Sequence, residues 1–282
     1  MAKRQFGVST HLYHGLRLSR DHLLEIAAHG FEAVEVFATR THIDYHNPAA
    51  VADLQQWLAE AGLELSSIHA PVVVAYEGGR WIGPLSLASP DAAERERAVA
   101  EAGRALHIAR RIPVKRMIAH LGFPRNQTPG QPADSRSAAR RSVEELAEAA
   151  RPLGVQIAVE VIPNELSRAG SLVHFVDEDV SGCGVGICLD FGHAHMDGDV
   201  VDAIETVSEH LVATHVHDNR GKSDDHLVPF DGTIDWPAAL TTVQKVGFDD
   251  TLLLELAAHG SAKETLGRAR TARGRMERLL AS

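Results

Sequence analysis

Cysteine is scarce in this chain: only Cys183 and Cys188 occur, and their spacing fits neither a zinc knuckle nor a redox pair. Cys188, inside an apolar run, reads as a core residue. Long apolar runs are missing as well. No window approaches the roughly 20 residues of a membrane-spanning helix, and the stretch Met1 to Phe6 lacks the apolar segment that follows the basic residues of a secretory signal. The expectation is a cytoplasmic protein with no membrane partner. Basic charge is also in deficit, with 28 Lys and Arg against 38 Asp and Glu, a formal net charge of −10. That balance disfavours attraction to a phosphate backbone, so nucleic acid is an unfavoured partner. The few lysines avoid strand ends, and Lys115 falls at the wrong end of its strand, which disfavours a Schiff-base aldolase.

What the chain has is a full core and an excess of histidine: 282 residues, 44% hydrophobic, with 17 His. The length suits one large α/β domain over residues 1–282. Short apolar runs alternate with amphipathic helical patterns closed by glycine or proline. Strands are expected at Phe6–Ser9, Ala33–Phe37, Leu63–Ile68, Val114–Ala119, Val155–Val161, Gly184–Asp190, Leu211–Val216 and Thr251–Glu255. Helices are expected between them, with Ser19 as an N-cap, Pro48 at a first turn, and Gly30, Gly62 and Gly154 as stops. The segment Pro71 to Pro90 has no clear period and reads as a long active-site loop, and Gly122 to Pro132 as a shorter one. Eight strand–helix units in series, with strands apolar on both faces, predict a parallel sheet closed into a single (β/α)8 barrel.

In such a barrel the chemistry collects at the C-terminal ends of the strands. His69 ends the third strand, His120 the fourth, Glu160 the fifth, Asp190 the sixth, His215 and His217 the seventh, and Glu255 the eighth. Each of these is a metal-ligand type, whereas solvated strand ends carry mixed polar residues. Glu255, in Leu252-Leu253-Leu254-Glu255-Leu256, needs a partner or a cation to offset the desolvation of a charge in a buried strand. His193, three residues after Asp190, turns back toward the same point if the chain bends at Gly192. His14, His22, His29, His107, His174 and His259 fall on helices or outer loops and receive no role.

These residues resemble the xylose isomerase-like TIM-barrel superfamily. The resemblance rests on Ser67-Ile68-His69-Ala70-Pro71, Val159-Glu160-Val161-Ile162-Pro163-Asn164, Leu189-Asp190-Phe191-Gly192-His193, His215-Val216-His217-Asp218-Asn219, Asp224-Asp225-His226 and Leu254-Glu255, and it spans nearly the whole chain. Similarity to its sugar epimerase branch implies one divalent ion (Mn, Mg, Co or Zn) held by Glu160, Asp190, His215 and Glu255. It also implies that Glu160 and Glu255 shuttle a proton through an enediolate of a sugar or sugar phosphate. Similarity to its endonuclease IV branch implies instead a three-zinc phosphodiesterase acting on abasic DNA. There His69, His120, His193, Asp224 and His226 join those four as ligands; in the sugar branch they would contact the substrate. Where ketose 3-epimerases carry Gly-Glu before Asn-Arg, this chain has His217-Asp218-Asn219-Arg220, which separates it from their sugar-recognition pattern. Arg220 and Lys222 are candidates to hold a substrate phosphate or carboxylate. A non-catalytic sugar-binding barrel is the third class, and a homo-oligomer is allowed.

Overall fold

The structure, a computed structural model, describes residues 4–125 and 134–281. Its parallel strands are β1 (Phe6–Ser9), β2 (Ala33–Phe37), β3 (Glu64–His69), β6 (Arg116–Ala119), β7 (Gln156–Glu160), β8 (Gly186–Asp190), β9 (Leu211–Val216) and β10 (Leu252–Leu254). They pair in the order β1-β10-β9-β8-β7-β6-β3-β2 and close into a barrel, the single (β/α)8 architecture expected from the strand–helix alternation. No helix among the described residues is long and apolar enough to cross a membrane.

Strand periodicity explains where the polar side chains go. Successive residues point to opposite faces, and the register aligns Ser9 with Glu35, Glu35 with Ser67, and Asp190 with His215. Their neighbours Val8, Val34, Ile68, Leu189 and Val216 face outward and join the main hydrophobic cluster. Inside the barrel, Ile118, Ala158 and Cys188 form a separate buried cluster, with Val212 and Ala213 against it. The interior thus carries an apolar patch as well as the polar C-terminal rim, and Arg116, two residues before Ile118 on β6, pairs with Asp250 (2.6 Å) at the N-terminal end.

The helices obey the local signals. Asn47 caps α2 (Pro48–Ala61) by accepting from the Ala49 N–H, and Gly62 ends it at φ 66°, a left-handed conformation that glycine adopts without penalty. At α9 (Ala262–Leu280) Ser261 and Glu264 form a reciprocal capping box, so the protein's own carboxylate already occupies that helix N-terminus.

The structure corrects the reading of Pro71 to Pro90 as aperiodic. This segment contains an antiparallel hairpin, β4 (Val73–Glu77) with β5 (Arg80–Pro84), in which Glu77 faces Arg80 across Gly78 and Gly79. Both glycines have positive φ, 57° and 77°, as a two-residue hairpin turn requires. The Gly-Gly pair between apolar runs was the legible signal. Of the loop Gly122 to Pro132, residues 126–132 lie outside the described residues.

Candidate metal centre

Glu160 and Asp190 are the last residues of β7 and β8, His215 sits near the end of β9, and Glu255 follows β10. Glu255 stays in the ladder, because its N–H donates to the Val216 carbonyl (3.2 Å). One ligand atom from each of these four lies within 4.8 Å of every other. His215 Nδ1 is 3.2 Å from Glu160 Oε1, 3.4 Å from Glu255 Oε2 and 4.0 Å from Asp190 Oδ2. All four residues are buried. His215 Nδ1 and Glu160 Oε1 are also without a hydrogen-bond partner. Three carboxylates converging in a dry space, with an unpaired nitrogen among them, cost free energy unless a cation sits there. The donor set, oxygens plus one imidazole, suits a divalent ion.

On the far side of Glu160, Oε2 accepts from His120 Nε2 at 3.1 Å and faces His69 Nε2 at 3.4 Å. His69 Nδ1 lies 2.9 Å from the Ala70 carbonyl, which can only accept, so that nitrogen carries the proton and Nε2 turns to Glu160.

A second cluster, His193, His217, Asp224 and His226, adjoins the first through Asp190. Asp190 caps α6 (Phe191–Asp197) by accepting from the His193 N–H at 2.7 Å, and the same carboxylate lies 3.0 Å from His217 Nε2. Asp224 joins two imidazoles, 3.2 Å from His193 Nε2 and 3.2 Å from His226 Nε2. His226 packs its ring on that of His217, centroids 4.1 Å apart. Gly192 matters by close approach rather than as a bend: α6 begins directly after β8, and a Cβ at Gly192 would stand 2.0 Å from the His217 ring.

The electrostatics follow from this crowding. Burial opposes ionisation of Glu160, but the charges of His215 and His120, the hydrogen bond from His120 and the nearby His193 imidazole (3.4 Å) hold its carboxyl well below the ordinary range. Burial likewise opposes charge on His215. Cys188, pushed far up by burial, stays a neutral thiol, so the negative charge that lifts His215 well above the usual imidazole range comes from Glu35, Glu160 and Glu255. Burial is also outweighed at His226, which Asp224, Glu255 and Asp190 raise to about 10. Protons held on these imidazoles balance the carboxylates, and a divalent cation would compete with them.

The structure therefore brings Glu160, Asp190, His215 and Glu255 together, with His69, His120, His193, Asp224 and His226 around them. Arg220 and Lys222 lie apart on the exposed loop, where Arg220 donates to the Asp231 carbonyl (3.3 Å). Two groups escaped the sequence reading. His11 lies with its ring centroid 4.9 Å from that of His226. Glu35 is wholly buried in mid-strand and bonded to His215. Its setting, Val34-Glu35-Val36, is as apolar as that of Glu160, and the argument applied to Glu255 would have found it.

The family model for xylose isomerase-like TIM barrels matches residues 23–279. An uncharacterized protein of Methanocaldococcus jannaschii is 25% identical over 258 residues, covering 89% of this chain and 83% of its own. The inosose isomerase of Bacillus licheniformis is 28% identical over 136 residues, covering 44% of this chain and 48% of its own. Among solved structures, a D-tagatose 3-epimerase-like protein superposes with a TM-score of 0.77 at 23% identity, covering 98% of this chain and 97% of its own.

Proposed function

The chain belongs to the xylose isomerase-like TIM-barrel family, and from that premise we propose that it is a divalent-metal-dependent isomerase or epimerase of a sugar or sugar phosphate. Glu160 and Glu255 carry the substrate proton. The observation that bears the reading is the convergence of these two carboxylates on His215 Nδ1, at 3.2 and 3.4 Å, from strands on either side of β8 and β9. The similarity to an inosose isomerase and to a tagatose 3-epimerase-like fold supports the same class.

Glu160, Asp190, His215 and Glu255 would hold the cation, which when bound polarises the oxygens of a hydroxy-carbonyl substrate. The chain's own residues then account for the rest. A proton next to a carbonyl is too weakly acidic to leave unaided, so one of the two glutamates takes it as general base. The other glutamate, on the opposite face, returns a proton and leaves the carbon inverted. His69, His120, His193, Asp224 and His226 line the surrounding wall with donors and acceptors matched to sugar hydroxyls. Ile118, Ala158 and Cys188 form an apolar patch below the centre.

The test is a panel of ketoses and their phosphates incubated in D2O with the metal-loaded enzyme, the α-proton exchange being followed by NMR. Glu160→Gln and Glu255→Gln should each remove turnover by about 10²–10⁴-fold while the circular dichroism spectrum is retained. Undiminished exchange in either variant contradicts the assignment. The second cluster favours one other reading, an endonuclease IV-like multi-zinc phosphodiesterase, because Asp224 Oδ1 and His193 Nδ1 are buried without hydrogen-bond partners. The net charge of −10 speaks against a nucleic acid substrate, and cleavage of an abasic duplex is the assay that decides.

A further inference from the structure

Glu35 is a buried charge in the barrel interior that the proposed centre does not use. Glu35 lies in the middle of β2 with no exposed surface, and the imidazole of His215 stands between it and the point where Glu160, Asp190 and Glu255 meet. His215 Nε2 is 3.1 Å from Glu35 Oε2, while Nδ1, at the other edge of the ring, faces the three carboxylates. Glu35 therefore cannot touch a substrate held at the rim, and it touches the candidate centre only through this one ligand.

The carboxylate is itself fixed by neighbours on both sides. Ser9 on β1 donates to Oε1 at 3.0 Å, and Ser67 on β3 donates to Oε2 at 2.8 Å. Both serines stand beside Glu35 because the strand register aligns them. The Ser9 hydroxyl is oriented in turn, since its oxygen accepts from the His11 N–H (3.3 Å), which leaves its proton for Glu35. An ionised carboxylate only accepts, so the hydrogen bond to His215 requires the proton to sit on Nε2. In the neutral imidazole, the form that ligates a metal, that choice leaves the Nδ1 lone pair aimed at the other three carboxylates.

A barrel interior has no packing need for such a group. A buried carboxylate is expensive to desolvate, and an apolar residue of similar volume usually does as well for stability. Ile118, Ala158 and Cys188 fill equivalent inward space without any charge.

We infer that Glu35 is a positioning residue for metal binding, fixing the tautomer and ring plane of His215 and strengthening Nδ1 as a donor. A carboxylate or carbonyl on the second nitrogen of a ligating histidine is the general device for this, and its loss costs about 10–100-fold in metal affinity or activity. Ser9 and Ser67 act one step further out, by holding the Glu35 carboxylate in place. The inference rests on the proposed metal centre, and the experiment separates the two.

The full-length chain, stripped with chelator, is titrated with Mn2+ alone by calorimetry, and with Co2+ while the visible absorption of the bound ion is recorded. Glu35→Gln keeps the shape and an oxygen that can accept from Nε2 but removes the charge. Glu35→Ala removes the acceptor. Mn2+ affinity should fall about 10-fold in the first and nearer 100-fold in the second, and the Co2+ spectrum should shift in both. Ser67→Ala should show a smaller loss of the same kind. Circular dichroism of the Glu35→Gln protein confirms that the barrel is folded. Wild-type Mn2+ affinity together with an unshifted Co2+ spectrum in Glu35→Gln would overturn the role of Glu35 alone. A wild-type chain that takes up neither ion would overturn the metal centre and this inference together.

Discussion

Glu160, Asp190, His215 and Glu255 reach their meeting point from strand backbones, whereas His193, Asp224 and His226 reach theirs from a short helix and a loop. The first set inherits its spacing from the barrel's ladder, in which every strand is hydrogen-bonded to two neighbours. The second set depends on local devices. The loop after β9 is tied by Asp218, which is wholly buried. Its carboxylate accepts from Asn219 N at 2.9 Å, Phe230 N at 2.9 Å, Ile234 N at 3.2 Å and the Trp236 indole at 2.8 Å. Even so, His226 and Phe230 sit at positive φ, 45° and 77°, in the region that favours glycine. A strand-borne cluster is rigid by construction and suits a permanent ion, while a loop-borne one can vary with the substrate it must recognise.

Because Asp190 belongs to both sets, its loss should have the largest effect. Asp190→Ala removes a proposed ligand from the strand cluster, the cap of α6 and the partner of His217. Its Mn2+ affinity should drop by more than the roughly 100-fold upper range for a merely supporting residue, as read by calorimetry. Asp218→Ala should divide the clusters: unfolding by urea should show a loss of about 3 kcal/mol from the orphaned buried donors. Sugar affinity should weaken while Mn2+ affinity at the strand cluster is kept, and a parallel loss of both would mean that the clusters are one mechanical unit. Gly192→Ala places a methyl against the His217 ring, and overpacking of this kind costs roughly 1–3 kcal/mol. Thermal unfolding should register it, and an unchanged midpoint would mean that the ring moves aside freely. Least of all, Arg220→Ala and Lys222→Ala should change stability by no more than about 0.5 kcal/mol and leave Mn2+ binding intact. A marked rise in KM for a phosphorylated substrate alone would instead give those side chains a role in anion recognition.

The same division governs what the sequence made legible. Near-continuous apolar strands ending in His, Asp or Glu announced both the barrel and its strand-end residues, because in a parallel barrel the end of a strand is a fixed place. Glu35 escaped because it lies in mid-strand, and its partners Ser9, Ser67 and His215 become neighbours only through register and closure. His11 escaped for a related reason: the loop after β1 meets the loop after β9 only once the barrel closes. The β4–β5 hairpin was missed, although Gly78-Gly79 marks its turn, because its strands are largely half-buried or exposed and so lack the apolar runs of the barrel strands. His14, given no role as a loop residue, stacks on Trp81 of that hairpin with ring centroids 4.9 Å apart, a contact that no local pattern encodes.

The central claim is that the strand cluster holds one divalent cation and the loop cluster holds substrate. Elemental analysis of gently purified wild-type chain beside Asp190→Ala and His226→Ala tests it most directly. The account predicts one cation per chain in the wild type and in His226→Ala, and none in Asp190→Ala. Two or three zinc ions per wild-type chain, with at least one lost in His226→Ala, would contradict it and make the loop cluster a metal site.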